Sequence, residues 1–353
     1  MTTPHPTIDL SICIPTLNRA RFIGETLDSI CSQLDEHCEV VIVDGGSKDD
    51  TAAIVAGFAQ RFPSVRYIKS TLGNDVPSNE GFDRDCNQAV EAARGTYCWL
   101  MTDDDLLVED GIARVRTQLP QQPDLVFGCV KVCDVDLKQT LEAALPKIAG
   151  DKTYGRDDWP AFVAELGHQL TFVGGVVVKR ALWMARERSA YFGSGFVHVG
   201  VILGAPMEHV IALAQPLVIV RYGNGQWRGR AFDIWMLHWP RLIWSFDSMP
   251  DAAKSRITER RPYRGMRRLL WYRALGAYTL EQYRLRLASE TGLGFRAAAQ
   301  LVARTPVALI NTLYSLYLAP RITKPFAMQM YDLLHCGHAG FLTRRIAQLR
   351  GIH

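Results

Sequence analysis

The sequence predicts a doubly wound α/β domain with a mostly parallel sheet, followed by a helical C-terminal extension. Three observations point that way. Strand-like and helix-like stretches alternate three times between Asp9 and Asp105. The strand-like runs are rich in Val, Ile and Leu, as in parallel strands covered on both faces. Polar residues collect where those runs end, at the edge where open α/β sheets bind their ligands.

Asp9 to Ile14, DLSICI, reads as the first strand, ended by Pro15-Thr16 because proline offers no N–H to a sheet. A turn carrying Asn18 and Arg19 follows, and apolar residues at Phe22, Ile23, Leu27, Ile30 and Leu34 then recur at helical spacing. Glu39 to Asp44, EVVIVD, is the second strand and leaves an aspartate at its carboxyl end. Gly45-Gly46-Ser47 turns the chain, and capping side chains between Ser47 and Thr51 start a helix over Thr51 to Phe62. Val65 to Lys69 is a third strand. Phe82 to Ala93 is helical and feeds the stretch GTYCWLMTDDD, in which Tyr97 to Met101 reads as a short buried strand.

That stretch delivers three consecutive carboxylates, Asp103, Asp104 and Asp105. Clustered like charges repel unless something positive sits among them. Hard oxygen ligands suit Mg²⁺ or Mn²⁺, and a cation held by one or two carboxylates keeps positions open for phosphates. For an isolated triplet, the competing reading is a solvated acidic turn.

With 353 residues and 48% hydrophobic content, the chain can bury a substantial core and carry one domain with a sizeable extension. Its eight cysteines form no CxxC pair and lie mostly in apolar runs, so they read as buried thiols of a reducing compartment. The start, MTTPHPTIDL, has neither a basic end nor a long apolar stretch, so no signal peptide and a cytoplasmic location are expected. The net charge of +4 hides an asymmetry: residues 221–353 hold 21 Lys+Arg against 7 Asp+Glu, and residues 1–220 hold 19 against 29. A basic, aromatic-rich back half suits an anionic membrane face or a polyanion. A nucleic-acid partner is not expected, because no helix-turn-helix, zinc-finger or RNA-binding sheet signature is present.

The stretches PTLNRARFIGETLDSI, VVIVDGGSKDDT and NQAVEAARGTYCWLMTDDD resemble the nucleotide-sugar half of family 2 glycosyltransferases, which have the GT-A fold. GFDRDCNQAVEAARGTYCWLMTDDD is similar in particular to the abequosyltransferase-like members, which act in bacterial surface polysaccharide assembly. Motif agreement is good over about residues 9–110 and looser to about 230. The resemblance implies a Rossmann-like GT-A domain over residues 1–230, with a nucleotide-sugar half (about 1–110) and an acceptor half (about 111–230), ahead of a basic helical region at 231–353. It implies that Pro15 and Thr16 lie against the nucleotide, that Asp44 accepts from the base, and that Asp103 serves the ribose. Asp105 would be the main ligand of Mn²⁺ or Mg²⁺, with Asp103 beside it. Asn18, Arg19 and Asp104 are counted with the nucleotide. Many relatives carry Asp-Asp where this chain has Asp44-Gly45, so a base-side contact is expected to be missing. Arg84 either meets a phosphate or pairs with Asp83 or Asp85.

On the acceptor side, Leu125 to Val132 and Thr171 to Arg180 read as strands, the second leading to a helix at Ala181 to Arg188. The resemblance implies a segment ending in Glu-Asp, whose carboxylate deprotonates the acceptor hydroxyl. The matching residues, YFGSGFVHVG at 191–200, hold no carboxylate, and His198 takes roughly that place. An imidazole there would be a general base or a metal ligand, or else a hydrogen-bonded histidine in an apolar helix, Phe196 to Leu203. Glu208 and Asp233 stand in reserve. Kinship implies inversion at the transferred sugar, whereas a retaining front-face displacement would need no such base. Pro216 to Val220 reads as a strand, and the resemblance implies that RYGNGQWRGR after it is a loop closing over the diphosphate, with Trp227 stacking on sugar or base and Arg221, Arg228 or Arg230 pairing with phosphate; a solvated basic turn is the other reading.

From Phe232 onward helical patterns interleave aromatic and arginine residues. Thr305 to Ala319 sets Leu309, Leu313, Leu316 and Tyr317 on one face and Asn311, Thr312 and Ser315 on another. This is short of the ~20 apolar residues that cross a bilayer. It suits a helix lying in the membrane interface, or one packing on its own domain or on a second copy in a homo-oligomer. His335, Cys336 and His338 read as structural. The expected activity is metal-dependent transfer from a nucleotide-diphosphate sugar to a lipid-linked or polysaccharide acceptor, on the inner face of the cytoplasmic membrane. A nucleotidyltransferase would want a Gly-rich phosphate loop with a following lysine, which PTLNRAR is not. A non-catalytic membrane or polysaccharide adaptor is the other alternative.

Overall fold

The computed structural model describes residues 7–71, 78–225, 228–321 and 326–353. It has two compact units. The first comprises residues up to Val132, Ala143–Arg221 and Ser245–Ile257; the second comprises Cys133–Glu142, Tyr222–Trp244 and Thr258–His353. Both units are discontinuous in sequence.

The first unit is organised by a mixed sheet of β1 (Leu10–Thr16), β2 (Cys38–Asp44), β3 (Val65–Lys69), β4 (Tyr97–Leu100), β5 (Leu106–Leu107), β6 (Leu125–Cys133), β7 (Thr140–Leu145), β8 (Lys152–Gly155), β9 (Val176–Lys179) and β10 (His209–Arg221). The hydrogen-bonded order is β3-β2-β1-β4-β9-β6-β10-β5, with β7 and β8 off that path. The strands β3, β2, β1 and β4 are parallel, and β9 runs antiparallel to both β4 and β6. Every residue of β1 and β2 is buried, as their apolar runs require. Two of their four polar residues answer each other: Ser11 Oγ donates to Glu39 Oε1 at 2.8 Å, and Arg66 pairs with the other oxygen at 3.1 Å.

Pro15 does not end β1. It sits in register opposite Val43, and Thr16 sits opposite Asp44. Proline forfeits only its own donor, and the ladder continues where Gly45 N–H donates to the Thr16 carbonyl at 2.9 Å. The helices α1 (Ile23–Cys31), α2 (Thr51–Arg61) and α3 (Ser78–Ala92) cover the sheet, with α3 beginning ahead of the expected Phe82. The long strand β10 absorbs the expected Pro216–Val220 segment. The expected strand at Thr171 shrinks to β9, because Val173–Gly175 forms a 3₁₀ turn. Trp99 Nε1 donates to the Gly174 carbonyl at 2.7 Å there, and a Cβ on Gly175 would meet the Gly128 carbonyl at 2.6 Å. The glycine pair is thus needed for close backbone approach.

The second unit is helical around Phe232, Leu269, Tyr278 and Leu287, with the Phe232 and Tyr278 rings 4.9 Å apart. All eight cysteines are free thiols, and seven are buried.

Candidate active site

The parallel register brings the polar strand ends level. Thr16 lies opposite Asp44, and Asp44 opposite Lys69. Cys13 pairs with Leu100, so Thr16 and Asp103 each lie three residues beyond the same rung. The loops after β1 and β2 are stapled together. Asn18 N–H donates to Ser47 Oγ and Lys48 N–H to Asn18 Oδ1, both at 2.8 Å, while Arg19 N–H donates to Thr51 Oγ1 at 2.8 Å. Asn18 holds a left-handed φ of 54°, which asparagine tolerates better than most residues. Its side chain therefore serves the loop fold, whereas Pro15 and Thr16 are buried at the strand end.

Asp103, Asp104 and Asp105 are all buried, at 8, 7 and 5% exposure. A guanidinium that the sequence did not link to them lies across two of them: Arg19 Nε is 3.1 Å from Asp103 and Nη2 is 3.2 Å from Asp104. Among the described residues Asp105 accepts from neutral donors, Thr102 Oγ1 at 2.6 Å and the backbone N–H of Arg221 at 2.8 Å. Burial, reinforced by the Asp104 charge, pushes the Asp103 carboxyl up to about 7 against the pull of Arg19, and the Asp105 carboxyl up to about 8. Among the described residues no three His, Cys, Asp or Glu side chains form a ready cation cage. The donor chemistry nonetheless fits a divalent ion held by one or two carboxylates, since three buried carboxylates are grouped at this strand end.

Arg221 is committed elsewhere than to an incoming phosphate. It is 6% exposed, donates Nε to the Asp104 carbonyl at 3.0 Å, pairs with Glu25, and lies 5.0 Å over the Phe22 ring. Trp227 and the side chain of Arg228 lie outside the described residues. Arg230 belongs to the second unit.

Asp44 is 2% exposed and holds its own turn together. Its Oδ1 accepts from the N–H groups of Gly46 (3.0 Å) and Ser47 (2.7 Å), and its Oδ2 accepts from Tyr67 Oη at 2.7 Å. Three of its four acceptor positions are thereby filled. Beside it stands a residue that the sequence reading weighed only as a partner for Arg84. Asp85, from α3, is 5% exposed, accepts from Ser70 Oγ, and places its Oδ2 2.8 Å from where a Cβ on Gly45 would be. The carboxylate expected to be missing at position 45 is thus replaced in space by one from a helix. Burial and the Asp44 charge push the Asp85 carboxyl up to about 6, against the Ser70 hydrogen bond.

Asp83, in the sequence likewise only a candidate partner of Arg84, is 0% exposed and accepts from the N–H groups of Gly195 (2.8 Å) and Val197 (2.9 Å), anchoring the start of the helix Val197–Leu203. Its position in line with Cys86 and Val90 on an apolar helix face was the available signal. Arg84 pairs with neither Asp83 nor Asp85. It binds Glu80 at 2.7 Å on its own helix and lies 4.8 Å over the Phe192 ring.

His198 requires correction. It is 0% exposed within Val197–Leu203, its Nε2 lies 2.9 Å from the Leu170 carbonyl, and burial lowers it to about 4. A ring enclosed on all sides can neither reach an acceptor hydroxyl nor join Asp103 and Asp105 as a metal ligand. The reserve carboxylates are also engaged: Glu208 pairs with Arg156, and Asp233 pairs with Arg286 at 3.0 Å.

Residues 11–172 match the family model of Glycosyl transferase family 2. That match makes residues 11–172 a family 2 glycosyltransferase domain. The chain is 27% identical over 230 residues to an abequosyltransferase, RfbV, of Salmonella typhimurium, covering 61% of this chain and 67% of the relative. It is 37% identical over 123 residues to a PGL/p-HBAD biosynthesis glycosyltransferase of Mycobacterium bovis, covering 34% of this chain and less than half, 46%, of that relative. Among solved structures, residues 1–349 of S. aureus TarS in complex with UDP align with a TM-score of 0.56 at 15% identity, covering 95% of this chain and 93% of that one. The fold of the family 2 enzyme is accordingly GT-A.

Proposed function

We propose that this glycosyltransferase moves a sugar, with inversion, from a nucleotide-diphosphate donor to a hydroxyl of a lipid-linked or polysaccharide acceptor in bacterial surface polysaccharide assembly. One observation carries the reading: the buried, under-neutralised carboxylates Asp103–Asp105 share a sheet edge with Thr16 and Asp44. Relatedness to an abequosyltransferase supports the pathway class, and the UDP bound to TarS supports a nucleotide donor. Asp105, with Asp103, would hold Mn²⁺ or Mg²⁺, which when bound neutralises the diphosphate leaving group. Arg19 holds Asp103 and Asp104 in place from the facing loop. Asp44 and Asp85 would accept from N–H groups on the base edge; Asp85 has the greater spare capacity, with Ser70 its single hydrogen-bond donor among the described residues. Such a pair favours a base presenting an exocyclic amine over one presenting a carbonyl, whose lone pairs it would repel. The basic C-terminal region would keep the enzyme at the inner membrane face, where lipid-linked acceptors reside.

The test is turnover of a panel of nucleotide sugars with and without Mn²⁺. Metal-dependent release of nucleoside diphosphate from one donor is the expected outcome. Consumption of nucleoside triphosphates instead, or inertness toward every donor, would overturn the reading.

A further inference from the structure

Helix Val307–Leu318 in the second unit buries Ile310 and Leu318, yet it is otherwise reversed in polarity. Its buried face carries Asn311 and Ser315, both 0% exposed. Asn311 Nδ2 donates to the carbonyls of Ala274 (3.2 Å) and Leu333 (3.0 Å), and its Oδ1 accepts from Thr343 Oγ1 at 2.7 Å. Ser315 Oγ donates to the Asn311 carbonyl at 2.9 Å. The opposite face is a stripe of Leu309, Leu313, Leu316 and Tyr317, at 51, 53, 48 and 42% exposure. A helix facing water has the reverse polarity. The neighbouring helix Phe341–Leu349 adds Phe341 at 81% exposure.

The charge around this stripe indicates what covers it. Residues 293–353 contain seven Lys+Arg and one acidic residue, Asp332. Arg304, Arg344, Arg345 and Arg350 are exposed. A second copy of the chain seated on the stripe would bring two such basic segments together, at an electrostatic cost. An anionic lipid surface would be attracted to the arginines and would receive the leucines. No helix among the described residues is long and apolar enough to cross a membrane, so the contact lies along the surface.

We infer that the Leu309–Leu313–Leu316 face of helix Val307–Leu318 docks on an anionic bilayer, its leucines in the acyl boundary and its flanking arginines at the phosphates. This gives the membrane contact proposed above a defined face, and it stands whether or not the sugar-transfer reading does.

The test is co-sedimentation of the full chain with phosphatidylglycerol-containing and with pure phosphatidylcholine vesicles. Strong preference for the anionic vesicles is expected. The variant Leu309→Gln/Leu313→Gln/Leu316→Gln should lose at least about tenfold in vesicle affinity, since it removes the exposed apolar area that the acyl boundary would cover. Arg344→Glu/Arg345→Glu should weaken binding and remove its salt sensitivity. Melting temperature and nucleotide binding, measured on the same variants, should not change. Absence of anionic-vesicle binding, binding indifferent to the triple leucine change, or light scattering showing a dimer that the triple change dissolves would each overturn the inference.

Discussion

Arg221 donates its backbone N–H to Asp105 across 2.8 Å, so the end of a strand laid down late in the domain fixes the last carboxylate of the acidic triplet. No ion pair among the described residues reaches Asp105. Asp105→Asn can retain both hydrogen bonds, because the amide oxygen still accepts from Arg221 and the amide group can donate to Thr102. We expect kcat/KM to fall by at least about 100-fold with the fold intact, the scale seen when a charge-stabilising group is removed. Full activity in steady-state assays would count against the metal assignment.

The same burial sets a pH dependence. Asp103 and Asp105 are raised from 3.8 to about 7 and about 8, so the folded chain binds their protons more tightly than the unfolded chain. Their contribution is therefore present in acid and is lost as pH rises through that window. Without added metal, the melting temperature should fall as pH rises from about 5 to about 8. Mn²⁺ should raise it more at the alkaline end, where the ligands are deprotonated. Asp105→Asn should flatten both trends, and a Mn²⁺ shift equal at both ends would contradict the expectation.

Gly45 and Asp85 should be energetically coupled. Gly45→Ala places a methyl group against the Asp85 carboxylate, which Ser70 pins, and should weaken nucleotide binding. Asp85→Ala should weaken it as well by removing an acceptor. The double variant should be no worse than the poorer single one, with a coupling of about 0.5–3 kcal/mol in a calorimetric cycle. Additive losses would separate Asp85 from the base site.

Removing the Arg19 guanidinium by Arg19→Ala leaves two buried carboxylates facing each other. Chemical denaturation should show a loss of about 3 kcal/mol, the usual cost of breaking a buried pair. Loss of donor binding without loss of stability would mean that Arg19 serves the ligand rather than the carboxylates.

His198 should matter to stability rather than to turnover. Its ring is lowered from 6.5 to about 4 by burial, so the unfolded chain takes up the proton first and stability is lost as pH falls between those values. His198→Gln, able to donate to the Leu170 carbonyl, should lessen acid sensitivity and leave kcat/KM unchanged at neutral pH. A collapse of turnover at constant melting temperature would restore it to the chemistry. Asp83→Ala, which strands two N–H groups, should cost about 2 kcal/mol or more.

What the sequence by itself determined was the local order: unbroken apolar runs became β1 and β2, helical spacing became α1 and α2, and the carboxylates fell where β4 ends. Those features depend on near neighbours, whose chemistry is visible in a linear pattern. Tertiary structure alone decided the partnerships. Arg19 reaches Asp103 and Asp104 from a loop that precedes them by more than eighty residues, Asp85 fills the notch left by Gly45, and His198 turns into the core. Periodicity could place each of these on an element, but a charge is neutralised or buried by whatever folds against it, and that is set by packing between distant segments.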